Sequence, residues 1–374
     1  MSNLPDPPRK TARITCMVHQ RLNAEVIDCL KTLGAHTVLV ENARCVRQRM
    51  RPRFHGLPGL RTELIDDPFE IFRTTVSLES AETVLSTLAA KLNLHAPGRG
   101  TVFAQHIEEI SLLDPPIIQP EPATAGPLQN DLTLITGILS MTGSGESLAR
   151  AALKLGAGVP VISLGAGTGI RDRLGLLRIT IPPEKELVHL VVPSHDAATI
   201  QRLLIEECRM NRPGGGFLYQ TPVAAAVVDP LIRIGPQEHA ATLEQIIAAV
   251  DELKKSTAWR KRFAGMDAAT EIPRHARRNE CEISFICAEG DADRLVQAAL
   301  CAGAGGTTTS RVRCLLFSDI EGGIAARERG ILCVPQARES AVLEALRHAI
   351  DEQGNPVCRF QLLNSPVVFS HQST

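Results

Sequence analysis

The sequence predicts an α/β (α+β) chain built from three ferredoxin-like βαββαβ units. Two repeated anchors and a recurring order of elements predict it. Leu94-His-Ala-Pro-Gly-Arg-Gly-Thr-Val-Phe103 and Met210-Asn-Arg-Pro-Gly-Gly-Gly-Phe-Leu-Tyr219 both read Pro-Gly-x-Gly followed by apolar residues. Ala151-Ala-Leu-Lys-Leu-Gly-Ala-Gly158 matches Ala298-Ala-Leu-Cys-Ala-Gly-Ala-Gly305, and Leu33-Gly-Ala35 is a looser version earlier in the chain. Two anchors in the same order mark an internal repeat, which must be recognised before single elements are assigned.

Each unit opens on a β-rich segment (14–18, 132–139, 283–287) and continues into an apolar-periodic helix. Those helices stop at Gly34, Gly156 and Gly303, because glycine tolerates the left-handed conformation that ends a helix. A second strand is expected at 37–40, 159–164 and 311–317, then a loop of variable length. The third strand is expected at 70–76, 186–192 and 330–334, a second helix at 80–92, 197–209 and 340–350, and a closing strand near 102–104, 217–220 and 360–363. The units therefore run 11–110, 131–229 and 281–370.

The connectors differ in kind. Residues 111–130 carry Pro115, Pro116, Pro120, Pro122 and Pro127, which makes them an extended spacer. The insert 230–280 places Leu243, Ile246, Ile247, Val250 and Leu253 at helical spacing on one face. The single Trp259 follows beside Arg260, Lys261 and Arg262. This helix either packs on the core with its basic run solvated, or docks a partner or an anionic membrane surface.

Composition narrows the function classes. Forty basic residues against forty-one acidic ones leave a net charge of -1, unlike the basic excess of a nucleic-acid binder. Hydrophobic residues make up 44% and aromatic ones 3%, so the cores are expected to be aliphatic. The polar, Pro-rich start reads as no signal peptide, and no apolar run approaches the ~20 residues of a membrane span. None of the ten cysteines sits in a Cys-x-x-Cys pair, so neither zinc nor a disulfide framework is expected, and the compartment reads as a reducing cytoplasm.

The middle segment resembles a known family. Glu184-Lys-Glu-Leu-Val-His-Leu-Val-Val192, a helix, and Arg212-Pro-Gly-Gly-Gly-Phe-Leu-Tyr219 resemble the third strand, second helix and nucleotide-cradling B-loop of PII nitrogen-regulatory proteins. Ser163-Leu-Gly-Ala-Gly-Thr-Gly-Ile170 resembles the glycine-rich base of their mobile T-loop. The likeness is good over 131–229, looser over 12–110, and confined to layout over 282–369. PII proteins are homotrimers with nucleotide sites between subunits, so the resemblance implies an intramolecular PII-like pseudo-trimer in one chain.

The resemblance also implies site residues. Gly165, Gly167 and Gly169 with Arg212, Gly214, Gly215 and Gly216 form one candidate nucleotide site, and Gly98, Arg99 and Gly100 a second. Glycines let successive backbone N–H groups approach an anion and form a nest; without a ligand the same sequence makes a tight turn. The lysine that follows the family's last B-loop glycine is replaced by Phe217 and Thr101, which favours AMP or ADP over ATP. Arg99, Arg212 and Arg359 are candidate replacement cations. The third segment has Cys358-Arg-Phe360 and no paired glycines at that place.

The T-loop tyrosine modified in some family members is absent, since the only tyrosine is Tyr219 in a strand. The first loop, around 47–61, is basic (Arg47, Arg49, Arg51, Arg53, Arg61) and reads as a solvated loop or an acidic-partner contact. The loop 168–184 carries an apolar stretch, 174–181. Thr142-Gly-Ser-Gly-Glu-Ser147 lacks the lysine and spacing of a phosphate loop and reads as a helix start capped by Ser144 or Ser147. His189 and His195, and the cluster Glu184, Lys185 and Glu186, sit beside no candidate nucleophile. No catalytic or metal-binding residues are therefore assigned.

Two function classes follow. One is a regulatory protein that senses an adenine nucleotide (AMP, ADP or ATP) and controls a partner such as a membrane transporter or metabolic enzyme. The other is a ligand-free scaffold with degenerate sites. A metal-binding CutA-like or amino-acid-binding ACT-like module is a third, weaker alternative.

Overall fold

Local structure follows the glycine stops. The computed structural model describes residues 8–52, 60–111, 127–140, 143–169, 184–212, 214–229, 276–317, 323–351 and 359–370. Helices α1 (Asn23–Thr32), α3 (Ser144–Leu155) and α5 (Ala292–Cys301) end just before Gly34, Gly156 and Gly303, whose φ values are +79°, +71° and +99°. The residues that follow, Ala35, Ala157 and Ala304, donate their backbone N–H to Leu30, Ala152 and Ala299, each at 3.0 Å. This is the Schellman arrangement, in which a left-handed residue turns the chain back onto the last helical carbonyls.

The strands are β1 (Arg9–His19), β2 (Thr37–Pro52), β3 (Leu60–Val76) and β4 (Gly100–Ile110), with α2 (Ala81–Lys91) before β4. Next come β5 (Leu132–Leu139), β6 (Val161–Gly169), β7 (Glu184–Pro193), β8 (Phe217–Val223) and β9 (Ala225–Val227), with α4 (Ser194–Glu207) between β7 and β8. The last are β10 (Ala276–Ala288), β11 (Gly306–Leu316), β12 (Gly323–Pro335) and β13 (Arg359–Ser370), with α6 (Glu339–Asp351) before β13. Each segment expected in the three units overlaps an observed element, with ends that differ by several residues, and β9 is not among those expected. The loop expected at 47–61 is, over its described part, the end of a long β2–β3 hairpin paired out to Pro52↔Leu60.

The assembly differs from the expectation of three ferredoxin-like units arranged as a pseudo-trimer, and that expectation is corrected. All thirteen strands among the described residues belong to one sheet, ordered β11-β12-β10-β13-β8-β5-β7-β6-β2-β3-β1-β4-β9. Strand β11 returns to pair with β6 and β2, and β13 with β4, so the sheet closes into a ten-stranded antiparallel barrel. The physical reason is that an open edge exposes unpaired N–H and C=O groups, and closure removes such edges. Here Val368 pairs with Tyr219, Ala43 with Ser163, and Cys314 with Leu39. Alternation within a strand says which residues share a face, but carries no information about which edge meets which.

That alternation sorts the interior into two layers. On β1, Ala12, Ile14, Cys16 and Val18 pack under α1 and α2 with Val26, Leu30, Val84 and Leu88. The alternate residues Arg13, Thr15 and Met17 face a central chamber. Equivalent apolar layers gather Leu148, Ala152, Ile200 and Leu204 under α3 and α4, and Leu295, Val296, Val342 and Leu346 under α5 and α6. The cores are largely aliphatic, yet Phe72, Phe103, Phe285, Phe360 and Phe369 are among the largest fully buried side chains. No helix among the described residues is long and apolar enough to cross a membrane. Of the two connectors, 112–126 and 230–275, with the expected amphipathic helix and Trp259, lie outside the described residues.

Candidate functional site

The turn from α2 into β4 is an anion-receiving loop with its anion built in. Gly98 and Gly100 hold φ of +83° and +135°, a region that favours glycine. The Gly98 N–H donates to Asp229 Oδ1 at 2.9 Å, and the Gly100 N–H also points at that carboxylate. Arg47 Nη2 donates to Asp229 Oδ2 at 2.6 Å, while Asp229's own N–H donates to Thr101 Oγ1 at 3.0 Å. Burial pushes the Asp229 carboxyl up from its ordinary pKa, with Arg47 and the two glycine amides pulling against it. Arg99 turns away from the nest: its Nε donates to the Leu92 carbonyl at 2.5 Å. Sequence reasoning found Gly98 and Gly100 and named Arg47 only as part of a basic loop, but missed Asp229. Asp229 lies 131 residues from Gly98, so no local pattern links them.

The turn from α4 into β8 carries a similar pair of left-handed glycines. Gly214 and Gly216 hold φ of +77° and +116°. Gly215 is fixed by close approach, since a Cβ there would lie 2.6 Å from the Met210 carbonyl oxygen. A Cβ on Gly216 would lie 2.9 Å from the Ile138 oxygen, whereas Gly214 faces open space. The Gly215 N–H is spent on the Arg212 carbonyl at 2.9 Å. Among the described residues no carboxylate hydrogen-bonds to the amides of Gly214 or Gly216. Arg212 and Gly214 are exposed.

The remaining predicted residues serve the sheet in this structure. Gly165, Gly167 and Gly169 lie in β6, where Gly167 pairs with Thr308 and Gly169 with Gly306 of β11. A Cβ on Gly165 would lie 2.8 Å from the Thr309 carbonyl oxygen, so glycine permits the two strands to approach. Arg359 opens β13, mostly buried, with Nη2 donating to Thr37 Oγ1 at 2.6 Å and Nη1 3.7 Å from Glu109. Glu186 accepts from the Gly145 N–H at 2.8 Å and stabilises the start of α3. The expected cap by Ser144 or Ser147 is replaced: Gly143, at φ +80°, is the cap residue, and Ser147 Oγ donates to its carbonyl. His195 lies on α4 beside Asp196 at 3.2 Å.

The second polar feature is the chamber inside the barrel. Arg13 (β1), Arg73 (β3) and Arg329 (β12) converge there with Glu41 (β2), Glu282 (β10), His189 (β7) and Tyr219 (β8). Arg13 donates to Glu282 from both terminal nitrogens at 3.0 Å and to Gln105 at 2.9 Å. Arg73 pairs with Glu41 at 2.6 Å. Burial alone would raise the Glu41 and Glu282 carboxyls, but Arg73 with Arg329 holds Glu41, and Arg13 with Arg329 holds Glu282, below the usual carboxylate range. Burial and then Arg73 push His189 down to about 3, so it is neutral near pH 7. Of this group the sequence singles out only His189 and Tyr219, neither as part of a polar cluster. The others lie on five different strands, and only closure of the sheet brings them together.

No family model matches the chain, and no curated protein matches it. Among solved structures it is similar to the B. subtilis GlnK–ATP complex and to B. subtilis GlnK, at 15% identity and a TM-score of 0.23 for each. These alignments cover 27% of this chain and 86% and 88% of those chains. An unknown protein from Galdieria sulphuraria is 14% identical, with a TM-score of 0.19, over 63% of this chain and 99% of its own. The likeness to GlnK, a PII protein, is local and of low coverage.

Proposed function

We propose that this chain is a PII-like regulatory protein that senses an adenine nucleotide at the 212–216 loop and passes its occupancy to a protein partner in the cytosol. One observation carries the reading. Two loops of the same molecule share a pair of left-handed glycines, +83° and +135° in one, +77° and +116° in the other. The first grips a carboxylate through backbone N–H and an arginine; in the second, Arg212 and Gly214 are exposed and Gly215 and Gly216 half-buried. A phosphate meets the same donors as a carboxylate, so the open loop is suited to a phosphate brought by a ligand. The missing lysine favours AMP or ADP. No catalytic residues are assigned in this reading. The partner is a membrane transporter or metabolic enzyme, and ligand and partner must affect each other's affinity equally.

One observation favours the scaffold reading for part of the molecule. The Gly98–Gly100 loop is already filled by Asp229, so that loop serves cohesion rather than sensing. The proposal therefore predicts one nucleotide per chain. Isothermal titration with AMP, ADP, ATP and cyclic AMP is expected to give saturable binding at a single site. Gly214→Ala, where a Cβ meets open space and only the positive φ resists, is expected to fold and to weaken binding about tenfold or more. No heat with any of the four nucleotides would leave the scaffold as the better account.

A further inference from the structure

We propose that the central chamber is a buried binding site for a monatomic anion, with chloride as its physiological class of occupant, held chiefly by Arg329. The chamber is lined by Arg13, Arg73, Arg329, Glu282, His189 and Tyr219, among others, and has a volume of about 20 Å³. A space of about 10–15 Å³ on this measure holds one water, so the chamber suits a chloride-sized particle and excludes a nucleotide or a phosphate ester. The site is thus separate from the loop assigned above.

Charge bookkeeping supplies the second argument. Three guanidiniums enter the chamber and two carboxylates answer them: Glu282 is taken by Arg13 at 3.0 Å and Glu41 by Arg73 at 2.6 Å. Arg329 is 4% exposed, and among the described residues it makes no ion pair or hydrogen bond of its own. Burial, then repulsion from Arg73 and Arg13, pulls it down to about 9 against the longer-range attraction of Glu41 and Glu282, so it still carries its charge at pH 7. His189 is neutral and Tyr219 is held protonated, so neither supplies a counter-charge. A buried, unpaired cation is costly unless a counter-ion joins it.

Donor arithmetic separates an anion from water. Each arginine brings five N–H donors and no acceptor; Arg13 Nε is buried without a hydrogen-bond partner, against one such acceptor in the cluster, Glu41 Oε1. Water would add two more donors to a chamber already rich in them. A halide accepts from several donors and brings none.

The experiment uses the full chain. Crystals soaked in sodium bromide are expected to show an anomalous peak inside the chamber, beside the Arg329 guanidinium. Thermal unfolding in sodium chloride, against sodium gluconate at equal ionic strength, is expected to show a saturable Tm rise of about 3 °C, absent in Arg329→Met. An empty or water-filled chamber in the bromide crystal, or a chloride increment unchanged in Arg329→Met, overturns the proposal. Should that variant fail to fold, the bromide map of the wild-type protein decides alone.

Discussion

Glu282→Ala is expected to destabilise the protein by about 3–5 kcal/mol, read as a lowered midpoint in urea unfolding. Glu282 is 2% exposed and takes both terminal nitrogens of Arg13 at 3.0 Å. Removing it leaves Arg13 without its carboxylate and takes from Arg329 one of the two carboxylates that attract it, so the cost is that of a buried charge left unanswered rather than of one lost contact. Paired removal tests this: Glu282→Ala with Arg13→Met is expected to cost less than Glu282→Ala alone.

The same cluster sets an acid limit. Glu41 and Glu282 are held below the ordinary 4.5, so their stabilisation is present above that value and lost as pH falls below it. His189, pushed from 6.5 to about 3, acts earlier: the unfolded chain takes up its proton below about 6.5 while the folded one does not. Stability therefore begins to decline below about pH 6.5. His189→Asn is expected to remove that upper part of the decline and leave the lower part, due to the carboxylates, in place.

Gly100→Ala has the next largest expected effect, about 2–4 kcal/mol in the same unfolding measurement. A Cβ at this position would sit 2.2 Å from the Met17 carbonyl oxygen and 2.7 Å from the Val18 Cα. Both are backbone atoms of β1 and cannot rotate aside as a side-chain tip would. The φ of +135° adds strain for any L side chain. Gly100 also pairs with Val18 where β4 starts, and its amide faces Asp229. The substitution thus disturbs the β1–β4 register and the carboxylate nest together. Spectroscopic melting should show a less cooperative transition if the nest opens before the sheet does.

Much of the local structure is legible in the sequence, and the reason is that its signals are local. Gly34, Gly156 and Gly303 stop helices because the left-handed residue is chosen within one turn of the chain. The strand faces of β1 follow from alternation of Arg13, Thr15 and Met17 with Ile14, Cys16 and Val18. The closed sheet is not legible. Pairs such as Arg313↔Val40 or Phe360↔Ile110 join distant parts of the chain through backbone hydrogen bonds, which leave no residue signature. Gly165–Gly169 shows the ambiguity of glycine: the same letters that suit an anion nest also let β6 and β11 come close. The chamber is hidden for a further reason, because Arg13, Arg73 and Arg329 lie on three different strands far apart in the chain.

The central claim is that the Gly98–Gly100 loop is filled from within while the Gly214–Gly216 loop is open to a phosphate. The most direct test follows the backbone amide resonances of Gly98, Gly100, Gly214 and Gly216 in the full chain during titration with ADP. Downfield, saturable shifts of the Gly214 and Gly216 amides, with Gly98 unmoved, are the predicted result. Unshifted Gly214 and Gly216 amides at millimolar ADP, or a shift confined to Gly98 and Gly100, would contradict it.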